Sequence, residues 1–314
     1  MLAFLVHSAL AADPLVATDP AANPVVVATP QVVAAVAPVR PMYEGTVTPS
    51  SPHYDLEVLY DAGSFKEGHA LTEKRLAENP KDPDLYWFLV RFMFEEAEQV
   101  HRTDKKFNKV AWYQKMVDIS NKGLAIDPNH GHLRFARGIA YGRLGTTKGV
   151  LASLRTIKGI QDDWLYVVEN NYRYSSISGQ ETLPCDAEIG LSIEYRLVPD
   201  YWIIQQLSGM RGSPEKAVKY AEMADQCTPN RIGSRKELGV AQVCMGQRKK
   251  QSAMVAKGVA TLYSVLALPV VDSNGTDVID QKHVKMILND LSMACDYSRD
   301  GQQDKVSEEQ IKPN

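Results

Sequence analysis

Residues 212–246 read GSPEKAVKYAEMADQCTPNRIGSRKELGVAQVCMG, and this stretch decides the fold. Apolar residues recur every three or four positions on both sides of Pro229, which predicts a helix on each side. Proline lacks a backbone N–H, so Pro229 separates the two helices. Ala217 and Gly239 are small and let a neighbouring helix approach closely. The stretch therefore predicts closely packed helices joined by a short break.

The same spacing of small residues occurs around two other prolines. A glycine or alanine stands 12 and 17 positions before Pro229 and before Pro80, and glycine stands 10 and 17 positions after Pro229 and after Pro128. Composition alone does not explain three prolines with small residues at matching offsets. The pattern therefore indicates a repeated structural unit.

Most of the remaining chain from Tyr54 onward has the apolar periodicity of helices. The clearest segments are Leu85–Phe94, Val110–Leu124, Leu133–Leu144, Val150–Ile160, Ile189–Leu197 and Met254–Leu266. Extended alternation of polar and apolar residues is missing, so the sequence predicts an all-α domain over residues 54–297. Residues 270–279 are open to two interpretations, a small hairpin or a loop leading into a helix that begins at Asp280.

In these segments the chain resembles tetratricopeptide-repeat (TPR) proteins. The resemblance covers residues 54–98, 112–147 and 203–250, and it extends to the regulator-of-microtubule-dynamics-like proteins and the T component associated with TRAP transporters. The segments that carry it are GIAYGRLG at 138–145, PEKA at 214–217 and TPNR at 228–231. It implies antiparallel helical hairpins stacked as an irregular TPR-like solenoid, which binds a protein or peptide partner in its concave groove without catalysis.

The resemblance also implies which residues face that groove, because the first helix of each hairpin lines the concave side. The predicted partner-binding residues are Trp87, Arg91, Phe94, Phe135 and Arg143. Aromatic rings bury a large area and arginine donates two hydrogen bonds in parallel, so both residue types make good anchors. The competing interpretation is that these residues pack against inserted segments of the same chain.

An aromatic-rich insertion at residues 160–202 supports an alternative function, that of a small-molecule-binding accessory protein of an envelope transport system. Its aromatic residues are Trp164, Tyr166, Tyr172, Tyr174, Tyr195, Tyr201 and Trp202. They would line a pocket, or they would form the core of an extra helical layer. An enclosed pocket of several hundred Å3 would favour this alternative, whereas a groove of contiguous exposed aromatics would favour a protein partner.

The sequence predicts no enzyme, no cofactor, no metal site and no nucleic-acid partner. The formal net charge is −3, without the basic surface that nucleic acids require. Only two of the seven histidines, His130 and His132, are close in sequence, and their spacing points them apart on a helix. Catalytic signatures such as GxSxG, HExxH and GxxxxGK[ST] do not occur.

The two ends of the chain have a different composition. Residues 1–11, MLAFLVHSALA, read as a signal peptide. No Lys or Arg precedes Arg40, which leaves two alternatives, a true start that lies upstream or a buried N-terminal stretch. Residues 12–53 are rich in Ala, Val and Pro and predict a disordered linker. Residues 298–314 predict a polar tail. The expected location is periplasmic or secreted, with no integral membrane segment in the mature chain.

The four cysteines agree with an oxidising compartment but leave two interpretations open, two disulfides or four buried thiols. Cys227 and Cys244 lie at opposite ends of neighbouring helices, about 20 Å apart at ~1.5 Å per residue. A disulfide needs Cα atoms within ~7 Å. Cys227–Cys244 is therefore disfavoured, and if bridges exist we expect Cys185–Cys227 and Cys244–Cys295.

Overall fold

The structure is a computed structural model that describes residues 45–100, 106–148, 150–271 and 275–299. The predicted signal peptide (1–11), most of the predicted linker and residues 300–314 of the predicted tail lie outside the described residues. These assignments therefore stay predictions.

Most of the described chain is helical and only four residues lie in strands, so the predicted all-α class is confirmed. Between α6 and α7 lie two short strands, β1 (Tyr174–Ser175) and β2 (Thr182–Leu183), and a 3₁₀ helix, Leu291–Cys295, follows α12. The helices are α1 (Tyr54–Asp61), α2 (Phe65–Glu78), α3 (Pro83–Gln99), α4 (Lys109–Ile126), α5 (Gly131–Lys148), α6 (Val150–Glu169), α7 (Cys185–Leu197), α8 (Trp202–Ser208), α9 (Pro214–Cys227), α10 (Ile232–Arg248), α11 (Ser252–Val265) and α12 (Thr276–Asn289). None of them is long and apolar enough to cross a bilayer.

Local sequence fixes where several helices begin. The side chains of Asp82, Asn108 and Ser213 precede α3, α4 and α9, and each accepts a hydrogen bond from a backbone N–H of the first turn. Pro83 and Pro214 occupy the first position of α3 and α9, where the missing N–H costs nothing. The breaks between hairpins are therefore encoded by capping residues and prolines.

Each long helix packs against the next long helix along the chain, from α2 through α12, while the short α8 lies against α6. The consecutive hairpins are α3–α4, α5–α6, α7–α9 and α10–α11. The first helices of successive hairpins also touch, α3 with α5 and α7 with α10. This is the irregular stack of antiparallel hairpins that the sequence predicts.

The small residues named from the sequence lie where helices approach closely. A Cβ on Gly138 would lie 2.4 Å from the indole nitrogen of Trp164, and a Cβ on Gly239 would lie 2.7 Å from Leu262. Ala217 is buried in the main hydrophobic core. These positions exclude larger residues because the facing helix already fills the space.

Two hydrophobic cores hold the described chain together. The main core runs from α1 to α10, and a second one joins the outer face of α10 to α11, α12 and the 3₁₀ helix. The cysteines lie in two pairs at disulfide distance, with Cα–Cα separations of 5.6 Å for Cys185–Cys227 and 4.7 Å for Cys244–Cys295. These are the pairs that the sequence favoured. Both lie in the C-terminal half, and the second joins α10 to the 3₁₀ helix.

The small sheet and the segment before α1 differ from the sequence-based expectation. Strand β1 pairs antiparallel with β2, and each strand has only two residues, too short for alternation to reveal. Residues 45–53, which belong to the predicted linker, have a defined path. The N–H of Val47 donates to the carbonyl of Ser175 at 3.0 Å, and the N–H of Ser175 donates to the carbonyl of Gly45 at 3.0 Å.

Residues 270–271 form no strand, and α12 begins at Thr276, four residues before the predicted start at Asp280. The loop-to-helix interpretation is therefore closer to the structure than the hairpin interpretation. Gly275 has a φ of 77° and directly precedes the helix. Glycine adopts this left-handed conformation without steric cost, so the helix can begin immediately after it.

Candidate binding cavity

The concave side of the hairpin stack contains a cavity of about 650 Å3. Its walls come from the first helices α3, α5, α7 and α10, together with α12, parts of α4 and α6, and residues 296–299. Cavities of ~300–1,000 Å3 are typical of ligand sites. The site combines an apolar wall with charged groups of both signs.

All five residues predicted to face the groove line this cavity. Trp87, Arg91 and Phe135 are buried, and Phe94 and Arg143 are partly buried. The predicted face is therefore the wall of a cavity rather than an open surface of exposed anchors. A role for these residues in partner binding stays a prediction.

Trp164 of α6 forms much of the apolar wall. Its indole N–H donates to the carbonyl of Phe135 at 3.2 Å, and its ring lies between Gly138 of α5 and Gly190 of α7. A Cβ on Gly190 would lie 2.8 Å from the ring. The two glycines thus make room for a large aromatic side chain between two first helices, beside Ile160 and other aliphatic lining residues.

Arg91 is the centre of a buried ionic network at one end of the cavity. Its Nε donates to Glu181 and its Nη1 donates to Glu57, both at 2.7 Å. The guanidinium carbon also lies 3.5 Å from the ring centre of Tyr60. The Tyr174 hydroxyl donates to Glu57 at 2.9 Å, so the network joins α1, α3 and the strand region.

Burial changes the protonation of carboxyl groups in this network. It raises the pKa of Glu181 to about 7, against the opposing charge of Arg91. It also raises the pKa of Glu95, whose carboxylate accepts a hydrogen bond from the Tyr60 hydroxyl at 2.7 Å. These shifts follow from desolvation, which disfavours the charged form of an acid.

A second ionic network closes the cavity on the side of α10 and α12. Lys236 lies 2.8 Å from Asp280 and 3.3 Å from Glu237. Arg196 of α7 donates to Glu237 at 3.2 Å and to the carbonyl of Tyr297 at 2.6 Å. Burial acts to raise the pKa of Asp280, but the charge of Lys236 outweighs this effect and lowers the pKa. The C-terminal segment is thereby fixed against the concave face.

Arg299, at the start of the predicted tail, lines the cavity and lies 3.9 Å from Asp280. Its charge also acts on Glu95 of α3. Residues from the first and the last parts of the described chain therefore meet around one cavity. The shifted acids Glu181 and Asp280 are each engaged by a cation, Arg91 and Lys236 respectively.

Sequence reasoning missed most of the charged cavity residues. Arg91 was predicted from its groove-facing place in the first helix of a hairpin. Its partners Glu57 and Glu181 stand 34 and 90 residues away in the sequence, and no local pattern marks them. Lys236 and Asp280 are likewise 44 residues apart.

The predicted aromatic pocket does not form as one unit among the described residues. Of the seven aromatic residues in the insertion, Trp164 alone lines the cavity. Tyr174 packs against Trp87, with ring centres 5.4 Å apart, whereas Tyr201 and Trp202 are 67% and 70% exposed at the start of α8. The insertion thus contributes to the core, to the cavity wall and to the surface.

The fold and the cavity define an all-α protein of stacked helical hairpins with a ligand-sized cavity on the concave side. No protein-family model and no curated protein matches the chain. Among solved structures, the chain is similar to one described as "MamA RS-1 ArsTM double mutant", at 15% identity and a TM-score of 0.41. The match covers 68% of this chain and 90% of that chain. At this identity and TM-score the likeness carries no argument about function.

Proposed function

We propose that this protein is an exported, non-catalytic scaffold that binds a short segment of a partner protein in its concave cavity. The observation that carries the proposal is that five residues named as groove residues, from α3 and α5, line one cavity with residues of α7 and α10. Export is supported by the two cysteine pairs at disulfide distance, since disulfides persist in oxidising compartments.

The chemistry of the wall fits a peptide segment. Aliphatic and aromatic side chains such as Ile139, Ile193 and Trp164 provide an apolar surface for the segment's side chains. Arg143 and Arg231 carry donors, and Asp186 and Glu181 carry acceptors, all of which already take part in ion pairs within the chain. A peptide backbone presents both N–H and C=O groups along its length, and each must find a partner when buried.

A small-molecule ligand is the second candidate, in line with an accessory protein of an envelope transport system. The observation in its favour is the cavity volume of about 650 Å3, which lies within the usual range for small-molecule sites. Burial of Trp87 and Phe135 also leaves little aromatic surface for a large, flat partner interface.

Filling the cavity tests both candidates. Trp87 and Arg91 are unsuitable targets because they belong to the core and to the buried ionic network. Gly142 lines the cavity, and a Cβ there would meet only Trp164, at 3.9 Å. Gly142→Leu should therefore add a side chain to the cavity while the helix stays intact, with Gly142→Ala as the matched control.

The measurement is binding of peptides selected on the wild-type protein from a displayed random library. Gly142→Leu should weaken the selected peptides at least tenfold, whereas Gly142→Ala and Gly159→Leu should not. Gly159 is a helical glycine that does not line the cavity, where a Cβ would meet only Tyr141, at 4.0 Å. Equal binding by all variants would reject the cavity as the peptide site. A co-purified small molecule, detected by native mass spectrometry and lost only in Gly142→Leu, would favour the second candidate.

A further inference from the structure

Metal-ligating side chains from three separate helix starts meet outside the cavity. His53 directly precedes α1, Asp82 and Asp84 flank Pro83 at the start of α3, and His130 directly precedes α5. The His53 Nε2 atom lies 2.9 Å from a carboxylate oxygen of Asp82. One ligand atom each from His53, Asp82 and Asp84 lies within 4.8 Å of the other two.

From this convergence we propose that His53, Asp82 and Asp84 form a binding site for a divalent first-row transition-metal ion. The site is distinct from the cavity and does not depend on the proposed function. Its three side chains are partly buried, with exposed fractions of 19% for His53, 30% for Asp82 and 41% for Asp84. They are thus accessible to an ion from solvent and are still held by the fold.

Each ligand is oriented by a contact within the protein, and His53 Nε2 and Asp82 Oδ2 face each other where an ion would replace the proton between them. Asp82 uses Oδ1 to accept the backbone N–H of Asp84 at 3.0 Å, which leaves Oδ2 directed toward His53. The ring of His53 packs edge-on against Phe88, with ring centres 5.9 Å apart. These contacts fix the side chains before any ion binds, which lowers the entropy cost of binding.

His130 supplies the outer support that metal ligands usually have. Its Nδ1 accepts the backbone N–H of Leu133 at 3.2 Å, so its Nε2 carries the proton and donates to Asp84 Oδ1 at 2.8 Å. Hydrogen bonds of this kind hold ligating carboxylates in place and tune their basicity.

The donor set selects the class of metal. Two carboxylates balance the charge of a dication, and the imidazole nitrogen favours ions such as Zn2+ or Mn2+ over Mg2+ and Ca2+, which prefer oxygen donors. Two ligand atoms bound at about 2.0–2.2 Å to one ion lie at most ~4.4 Å apart. The separations in this cluster therefore need only a small adjustment for three-point binding, with water completing the coordination.

Another histidine between carboxylates provides a matched control. The two nitrogens of His69 lie against different acids, Nδ1 at 2.7 Å from Glu96 and Nε2 at 3.4 Å from Glu73. The two carboxylates thus stand on opposite sides of the ring and cannot bind one ion together with a single nitrogen. His69→Gln therefore removes a histidine with two acidic partners but leaves the proposed site intact.

The test is isothermal titration calorimetry of the full-length protein, freed of metal with EDTA, against ZnCl2, MnCl2 and MgCl2. The expected result is one site for Zn2+ or Mn2+ that is at least tenfold stronger than any for Mg2+, with a rise in Tm on binding. His53→Gln and Asp82→Asn should each weaken binding at least tenfold, whereas His69→Gln should not. Asparagine caps a helix as well as aspartate does, so Asp82→Asn removes the charge without unfolding α3.

Three outcomes would overturn the proposal. These are the absence of Zn2+ and Mn2+ binding by the wild type, unchanged affinity in His53→Gln, and equal weakening by His69→Gln. Circular dichroism of each variant separates loss of the site from loss of the fold, because only a folded variant with reduced affinity counts in favour.

Discussion

Trp164 shows how single residues shape this protein. It is one of four tryptophans, and its side chain spans the space between α5 and α7 because Gly138 and Gly190 have no Cβ. The glycine at 138 was predicted to let helices approach. In the structure, Gly138 makes room for the ring of Trp164, which packs in the core and also lines the cavity. Gly138 and Trp164 were both named from the sequence, but nothing in the sequence paired the two.

At the residue scale, Gly138→Ala should destabilise the protein by about 1–3 kcal/mol, since overpacking of a core has costs of this size. The added Cβ would lie 2.4 Å from the Trp164 nitrogen, and that ring is already held by its hydrogen bond to Phe135. Urea denaturation measures the change in the free energy of unfolding.

Gly142→Ala, one turn further along α5, is the control for that substitution. Its Cβ would lie 3.9 Å from the same ring, an ordinary contact. Alanine is favoured over glycine inside a helix by about 0.5–1 kcal/mol, so this variant should be slightly more stable than the wild type. Equal destabilisation of the two variants would contradict the proposed close contact.

At the scale of elements, buried ion pairs join segments that are far apart in sequence. Arg91 connects α3 to Glu57 of α1 and to Glu181, next to strand β2. Its side chain is 4% exposed, as against 29% for Arg75 in the pair between α2 and Asp55. The first pair is embedded in the protein, while the second is screened by solvent.

Arg91→Met should therefore destabilise the protein by about 3–5 kcal/mol, because it leaves two buried carboxylates without their cation. Arg75→Met should change stability by no more than about 1 kcal/mol. Urea denaturation of both variants at pH 8 measures the difference. Similar losses of stability in Arg91→Met and Arg75→Met would show that burial does not determine how strongly each ion pair stabilises the protein.

The loss of stability in Arg91→Met should also depend on pH. In the wild type, burial raises the pKa of Glu181 from 4.5 to about 7, so the folded state holds this proton more tightly than the unfolded state. A raised acid pKa lowers stability as the pH rises from about 4.5 through about 7. Without Arg91 the cost of ionised Glu181 grows, so the variant should lose less stability at pH 5 than at pH 8. An identical loss at both pH values would contradict this account.

At the scale of the whole molecule, the C-terminal half contains two cysteine pairs at disulfide distance in addition to its packed cores. The pair Cys185–Cys227 spans 42 residues and Cys244–Cys295 spans 51. The second pair fastens the 3₁₀ helix to α10, and Arg299 follows this helix into the cavity wall. The second pair thus supports the C-terminal segment that lines the cavity.

Replacing both cysteines of either pair by serine should lower the free energy of unfolding by about 2–4 kcal/mol, because loops of this length gain conformational freedom in the unfolded state. Urea denaturation of the double variants measures the change. Thiol titration of the wild type in denaturant without reductant should find no free thiol. Four reactive thiols would contradict the bridges and remove one support for export.

The sequence by itself determined the helical class, several helix starts, the close approaches at Gly138 and Gly239, and the first-helix residues that line the concave side. These features follow from local rules, because periodicity, caps and small residues act within one or two turns. Tertiary structure alone decided that the groove is a cavity, and that His53 meets Asp82 and Asp84. The tertiary packing of the helices brings together partners such as Arg91 with Glu181 and Lys236 with Asp280. No local sequence pattern indicates which distant side chains this packing brings into contact.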